Sequence, residues 1–134
     1  ALYIFTKNIL QKKFINLFNK GSHVRDFTYV DDIILGIKKV IFSKNRNNFE
    51  LLNIGNGKAV HLKSYLNEIE KNLGLKAKIK KLPLQAGDII KTHSSIKKIS
   101  KYYGYRPKTS YKKGIKKFID WFKYYNKINE EKNN

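Results

Sequence analysis

The chain has no cysteine, only three arginines, and no apolar run that approaches the length of a membrane span. Without cysteine there is neither a disulfide framework nor a thiolate metal site, which fits a reducing compartment and makes the cytoplasm the expected location. A spanning helix needs about twenty apolar residues. The opening ALYIF falls far short of that and lacks the layout of a signal peptide, so no membrane association is expected. Ready-made catalytic signatures are also missing: there is no GxSxG, HExxH or Walker loop. His23, His61 and His93 stand far apart, without the i, i+4 spacing or the accompanying acids of a metal site. Each is therefore expected to be a surface or packing histidine, with no metal bound and no catalytic residue in the chain.

What the chain has in excess is lysine. Its 134 residues carry a formal charge of +19, built from 26 lysines beside Arg25, Arg46 and Arg106. A strongly basic domain is drawn to phosphate, so a free-standing module for nucleic acid or another polyanion is one reading. Base recognition and bidentate phosphate capture favour arginine, however, while scattered lysine mainly solvates a surface. Weak, salt-sensitive binding is expected; a specific nucleic-acid partner is not. The length suits one domain that buries roughly two-thirds of its unfolded surface.

Along the chain, residues 1–13 read as a helix with Leu2, Phe5, Ile9 and Leu10 on one side and no capping residue ahead of Ala1, as if the chain were cut. A short strand is expected at Phe14–Phe18, followed by a turn through Asn19, Lys20, Gly21 and Ser22. Lys44–Asn48 reads as a loop. Phe49, Leu51, Leu52 and Ile54 form an almost continuous apolar run before a GNG turn, the pattern of a strand buried on both faces. Leu62, Tyr65, Leu66, Ile69 and Leu73 predict a helix closed by Gly74 in the left-handed region. Ala77, Ile79 and Leu82 alternate as a strand, and LPLQAGDII is a loop. Ser94 or Ser95 is placed to cap a short helix ended by Gly104, and Thr109 or Ser110 to cap a last helix with Ile115, Phe118, Ile119 and Phe122 on its inner face. The expected domain is 1–126, with a polar, disordered tail at 127–134.

The stretch Arg25–Ile33, RDFTYVDDI, is the most informative. Val24, Phe27, Tyr29 and Val30 suit a strand, and Ile33, Ile34, Ile37, Val40 and Ile41 have helical spacing. Asp31 is then the expected N-cap, with Asp32 gaining from the helix dipole, so two adjacent acids need no catalytic role. Gly55 and Gly57 could cradle a phosphate, but a plain turn accounts for them. Arg25 is singled out because a planar fork of donors suits a diphosphate; an ion pair with Asp26 or a nearby acid is the competing account.

RDFTYVDDI, followed by LLNIGN (51–56), LPLQAGD (82–88) and KTSYKKGIKKFIDWF (108–122), resembles the C-terminal part of the extended short-chain dehydrogenase/reductase sugar-nucleotide enzymes, and among them the UDP-glucuronate 4-epimerases. The resemblance implies an α/β fold: the C-terminal substrate-binding portion, with short strands and about five helices, plus one strand and helices that would complete a Rossmann sheet. It implies a UDP-sugar as ligand, with Arg25 against the diphosphate, backbone groups around Asn16 and Phe18 beside the uracil, and Gln85 and Asp88 near the phosphate and ribose hydroxyls. It also implies NAD as cofactor and a homodimer for the full-length enzyme.

Departures accompany the matches. Ala86 stands where the family loop usually has proline, Gln85 where relatives acting on UDP-glucose have arginine, and Ser95 where an acid is common. There is no glycine-rich fingerprint to take the NAD pyrophosphate and no tyrosine–lysine pair in the right place, since Tyr3 with Lys7 falls after the family's active-site helix. The chain alone is therefore expected to hold substrate and to be catalytically inactive. A 4,6-dehydratase or a decarboxylase would share this architecture, so the resemblance leaves those reactions open.

Overall fold

The computed structural model describes residues 1–44 and 49–128. Five helices and four short strands appear among them, in the order α1 (Leu2–Leu10), β1 (Phe14–Leu17), β2 (Val24–Asp26), α2 (Val30–Ile41), β3 (Ala59–His61), α3 (Leu62–Leu73), β4 (Lys78–Lys81), α4 (Lys97–Tyr103) and α5 (Tyr111–Tyr125). Among the described residues no helix is long and apolar enough to cross a membrane. Residues 45–48, in the expected loop, and 129–134, in the expected tail, lie outside the described residues.

The core follows from periodicity. Phe5 and Ile9 of α1, Tyr65, Leu66 and Ile69 of α3, and Ile115 and Ile119 of α5 recur at helical spacing and bury against one another. β1 closes this cluster by its period of two, turning Ile15 and Leu17 inward and Phe14 and Asn16 outward. It pairs in parallel with β4, Phe14 opposite Lys78 and Leu17 opposite Lys81. Gly74 and Gly104 end α3 and α4 at φ +67° and +63°, where a side chain would be strained, as their positions predict. Glu70 secures the turn into β4 by accepting from the Ala77 N–H and the Lys76 ammonium.

β2 pairs antiparallel with β3, Arg25 opposite Val60. Its other edge is met by the loop after β4: the Val24 N–H donates to the Ile90 carbonyl and the Thr92 N–H to the Val24 carbonyl. That contact brings the 82–90 segment beside the RDF motif. β3 escapes sequence reading because it is three residues long with no face fully covered.

Four local expectations need correction. β2 stops at Asp26, and Val30, expected in the strand, begins α2. Asp31 does not cap α2: the N-cap is Tyr29, no side chain bonds the helix start, and Asp31 is an exposed first-turn residue 3.8 Å from the Lys117 ammonium. Asp32 is instead buried and accepts the Lys108 and Thr109 N–H groups at 3.0 and 2.9 Å. Its carboxylate is used by a segment more than seventy residues away, which local capping rules do not see. Residues 49–54 form no strand, and Phe49 and Leu51 are 87% and 78% exposed. An apolar run becomes a strand only where other strands supply its hydrogen-bond partners, and none of the described residues does so. Finally, α4 starts after Ile96 with no side-chain cap, so neither Ser94 nor Ser95 caps it, and the Ser94 N–H donates to Asp26 instead. Ser110 does cap α5, accepting from the Lys113 N–H at 3.3 Å.

Candidate functional site

The segment through β2 alternates in what it presents. His23, Arg25 and Phe27 line one cleft, and Asp26 and Thr28 line a depression on the opposite side. The cleft has a volume of about 430 Å³ and lies between this row, Phe14 and Asn16 of β1, Phe18, and Asp88 of the loop that runs beside β2. Four of the five residues singled out from sequence, Asn16, Phe18, Arg25 and Asp88, meet here from three segments of chain. Gln85 does not line the cleft. It is exposed at the start of the turn in which its carbonyl accepts the Asp88 N–H.

Arg25 is held in place from several directions. One terminal nitrogen donates to the Val24 and Ile90 carbonyls at 3.0 and 3.1 Å, and the other lies 3.1 Å from Asp88 Oδ1. The acid that pairs with Arg25 is thus Asp88, sixty-three residues on, and not its neighbour Asp26, which the strand turns away. Both partners are about a third exposed or less, so the pair keeps access to solvent. The second Asp88 oxygen lies 2.9 Å from His23 Nε2, in a contact whose alignment falls short of a proper hydrogen bond. His23 was expected to serve only packing or the surface. Its position two residues before Arg25, on the same face of an extended segment, is the sequence signal that could have drawn it into the site. His61 and His93 are exposed.

On the opposite side, Asp26 binds three backbone N–H groups: Asn56 at 3.1 Å, Gly57 at 2.9 Å and Ser94 at 3.1 Å. Thr28 Oγ1 also accepts from Asn56 N–H. A Cβ on Gly55 would stand 2.5 Å from that of Ser94, and Gly57 has φ +70°, so this glycine turn meets packing and backbone demands. Its donors are committed to Asp26 and Thr28. The residues present therefore do not fit the pyrophosphate of a dinucleotide. No cluster of metal-ligating side chains occurs among the described residues.

Three tyrosines are shifted by their surroundings. Burial pushes the Tyr65 hydroxyl up to about 12, beneath Phe27, whose ring stacks on it with centroids 3.6 Å apart. Burial also raises Tyr105, with the charges of Asp32 and Asp26 adding to it, and its hydroxyl donates to the Gly55 carbonyl at 2.8 Å. Tyr103 is raised by its hydrogen bond to Glu50. All three stay protonated in neutral solution and act as donors and packing groups, so none is poised as a base.

No family model matches the chain. An uncharacterised protein of Methanocaldococcus jannaschii is 43% identical over 122 residues, covering 91% of this chain and 37% of that protein. UDP-glucuronate 4-epimerase 5 of Arabidopsis thaliana is 35% identical over 137 residues, covering 91% of this chain and 31% of that enzyme. Among solved structures, UDP-glucuronic acid 4-epimerase from Bacillus cereus, in complex with UDP-glucuronic acid and NAD, superposes with a TM-score of 0.88 at 29% identity over 93% of this chain and 40% of that one. The chain thus spans well under half the length of the proteins it matches. In sequence and in architecture the chain is thus similar to UDP-glucuronate 4-epimerases over a portion of their length.

Proposed function

We propose that the cleft between β1, β2 and the 82–90 loop holds the uridine diphosphate of a UDP-sugar, as the substrate-binding part of an NAD-dependent isomerase of the UDP-glucuronate 4-epimerase type. The observation that carries this reading is the meeting of Arg25 and Asp88 in one cleft with Asn16 and Phe18. A guanidinium offers a diphosphate two parallel donors, and a carboxylate offers a ribose two acceptors for its hydroxyls. Arg25 is already oriented by two carbonyls, so taking up a phosphate requires it to exchange only Asp88. Phe18 and the backbone around Asn16 border the base. Gln85, on the exposed turn, comes to the phosphate side once that turn closes over the ligand.

The nucleotide is then fixed while the sugar is reoriented, and remote binding energy positions the reacting carbon. Bound NAD supplies oxidation and reduction at the sugar in such an enzyme; residues of this chain supply the anchor. By itself the chain is inactive. The exposed outer face of α2 and the extended 49–54 segment are where the remainder of a full-length epimerase would pack and continue its sheet. The full-length enzyme is proposed to be a cytoplasmic homodimer with no specific nucleic-acid partner.

Titrating UDP and UDP-glucuronate into the 15N-labelled protein tests the assignment. Shifts centred on Phe18, Arg25 and Asp88 are expected, and Arg25→Ala should weaken UDP binding about tenfold, the effect of losing one charge-assisted contact. No shift in a folded sample would overturn the reading. Affinity for DNA that persists at moderate salt, and that UDP does not compete away, would replace it with the polyanion module.

A further inference from the structure

We infer that His23 is a positioning residue of the nucleotide cleft, holding Asp88 so that its carboxylate stays on the ribose side when Arg25 leaves it for the diphosphate. The inference rests on the proposed UDP-sugar site and concerns a residue that plays no part in that assignment. Three observations support it. His23 is 3% exposed, it lines the cleft, and its Nε2 has no well-aligned hydrogen-bond partner. A buried ring nitrogen of this kind is costly unless something uses it.

The nearest polar atom is Asp88 Oδ2 at 2.9 Å, while Oδ1 is taken by Arg25 at 3.1 Å. A ring nitrogen and a carboxylate oxygen at that separation must share a proton, since two lone pairs would repel. Asp88 is pulled between two donors, and the poor alignment at His23 reflects the stronger claim of the guanidinium. A diphosphate removes that competitor. Left alone, the Asp88 carboxylate is free to follow Arg25 or turn to solvent, because it is a third exposed and sits on a loop. His23 is fixed by its backbone, whose carbonyl accepts the Leu62 N–H at 2.8 Å, and by its burial. It can therefore keep Oδ2 while Oδ1 turns to the ribose hydroxyls. Asp88 then changes from a counter-ion for Arg25 into an acceptor for the ligand.

The experiment compares affinities for UDP and 2′,3′-dideoxyuridine diphosphate, which lacks the hydroxyls that Asp88 would accept from. Wild type should prefer UDP about tenfold, the scale of one hydrogen bond to a charged group. His23→Leu should reduce that preference to about twofold or less with the affinity for the dideoxy ligand nearly unchanged, and His23→Gln, which keeps a donor, should restore much of it. In an Asp88→Asn background the His23→Leu change should have no further effect on the preference. A His23→Leu protein that folds and keeps the full preference overturns the inference and leaves the proposed function standing. Absence of UDP binding in the wild type removes the function and the inference together. Should His23→Leu fail to fold, the 15N shifts of the His23 ring in Asp88→Asn decide: they move if the ring donates to that carboxylate, and constancy overturns the inference.

Discussion

Two apolar surfaces of similar composition meet opposite fates in this molecule. Between α1, α3 and α5, Ile69, Ile115 and Ile119 are 2% exposed or less. On α2, Ile34, Ile37 and Ile41 are 40% to 58% exposed, and Phe49 and Leu51 are more open still. The difference does not lie in residue type. Helix α2 sets Gly36 against Ile54 and Tyr105 and turns the three isoleucines outward. An apolar stripe this wide is built to be covered across its width. Among the described residues α2 is covered on one side only.

The contrast predicts unequal sensitivity. Ile69→Ala removes a fully buried side chain from a cluster fed by three helices and should cost about 3 kcal/mol or more, read as a lower urea midpoint at unchanged slope. The alkaline limb comes next. Because the Tyr65 hydroxyl titrates near 12 in the folded chain and near 10 when unfolded, the unfolded state loses its proton first. Stability from this group is therefore complete below pH 10 and falls between pH 10 and about 12. The difference in unfolding free energy between wild type and Tyr65→Phe should shrink by up to about 3 kcal/mol over that window and stay constant below it. Ile34→Lys together with Leu51→Lys, on the open surface, should change stability by about 0.5 kcal/mol or less. A cost there comparable with Ile69→Ala would show that the open surface is covered in solution and would break the comparison.

Legibility from sequence follows the same divide. Helices α3 and α5 could be read because everything that defines them is local: a periodic inner face, Gly74 at one end and Ser110 at the other. The strand expected at 49–54 failed because its pattern describes a sheet that the described residues do not build. The cap expected at Asp31 failed differently. Capping rules look three residues ahead, whereas Asp32 bonds the start of the segment leading into α5. At the cleft, Arg25 stood out by its rarity among lysines and Asp88 through the loop motif, but their pairing depends on the parallel contact between Val24 and Lys91, which leaves no mark in the sequence. His23 lacks the spacing of a metal ligand, yet counting by twos along the extended segment sets it beside Arg25.

Arg25 and Asp26 are joined by a single peptide unit and face in opposite directions. One grips the proposed ligand; the other clamps the glycine turn and the approach to α4. The two sides of the segment thus share a common fulcrum, and a small displacement of the clamp tips the grip without any relay of side chains. Enlarging Gly55, on the far side from the cleft, would on this mechanics be felt first as a change in how the guanidinium is aimed.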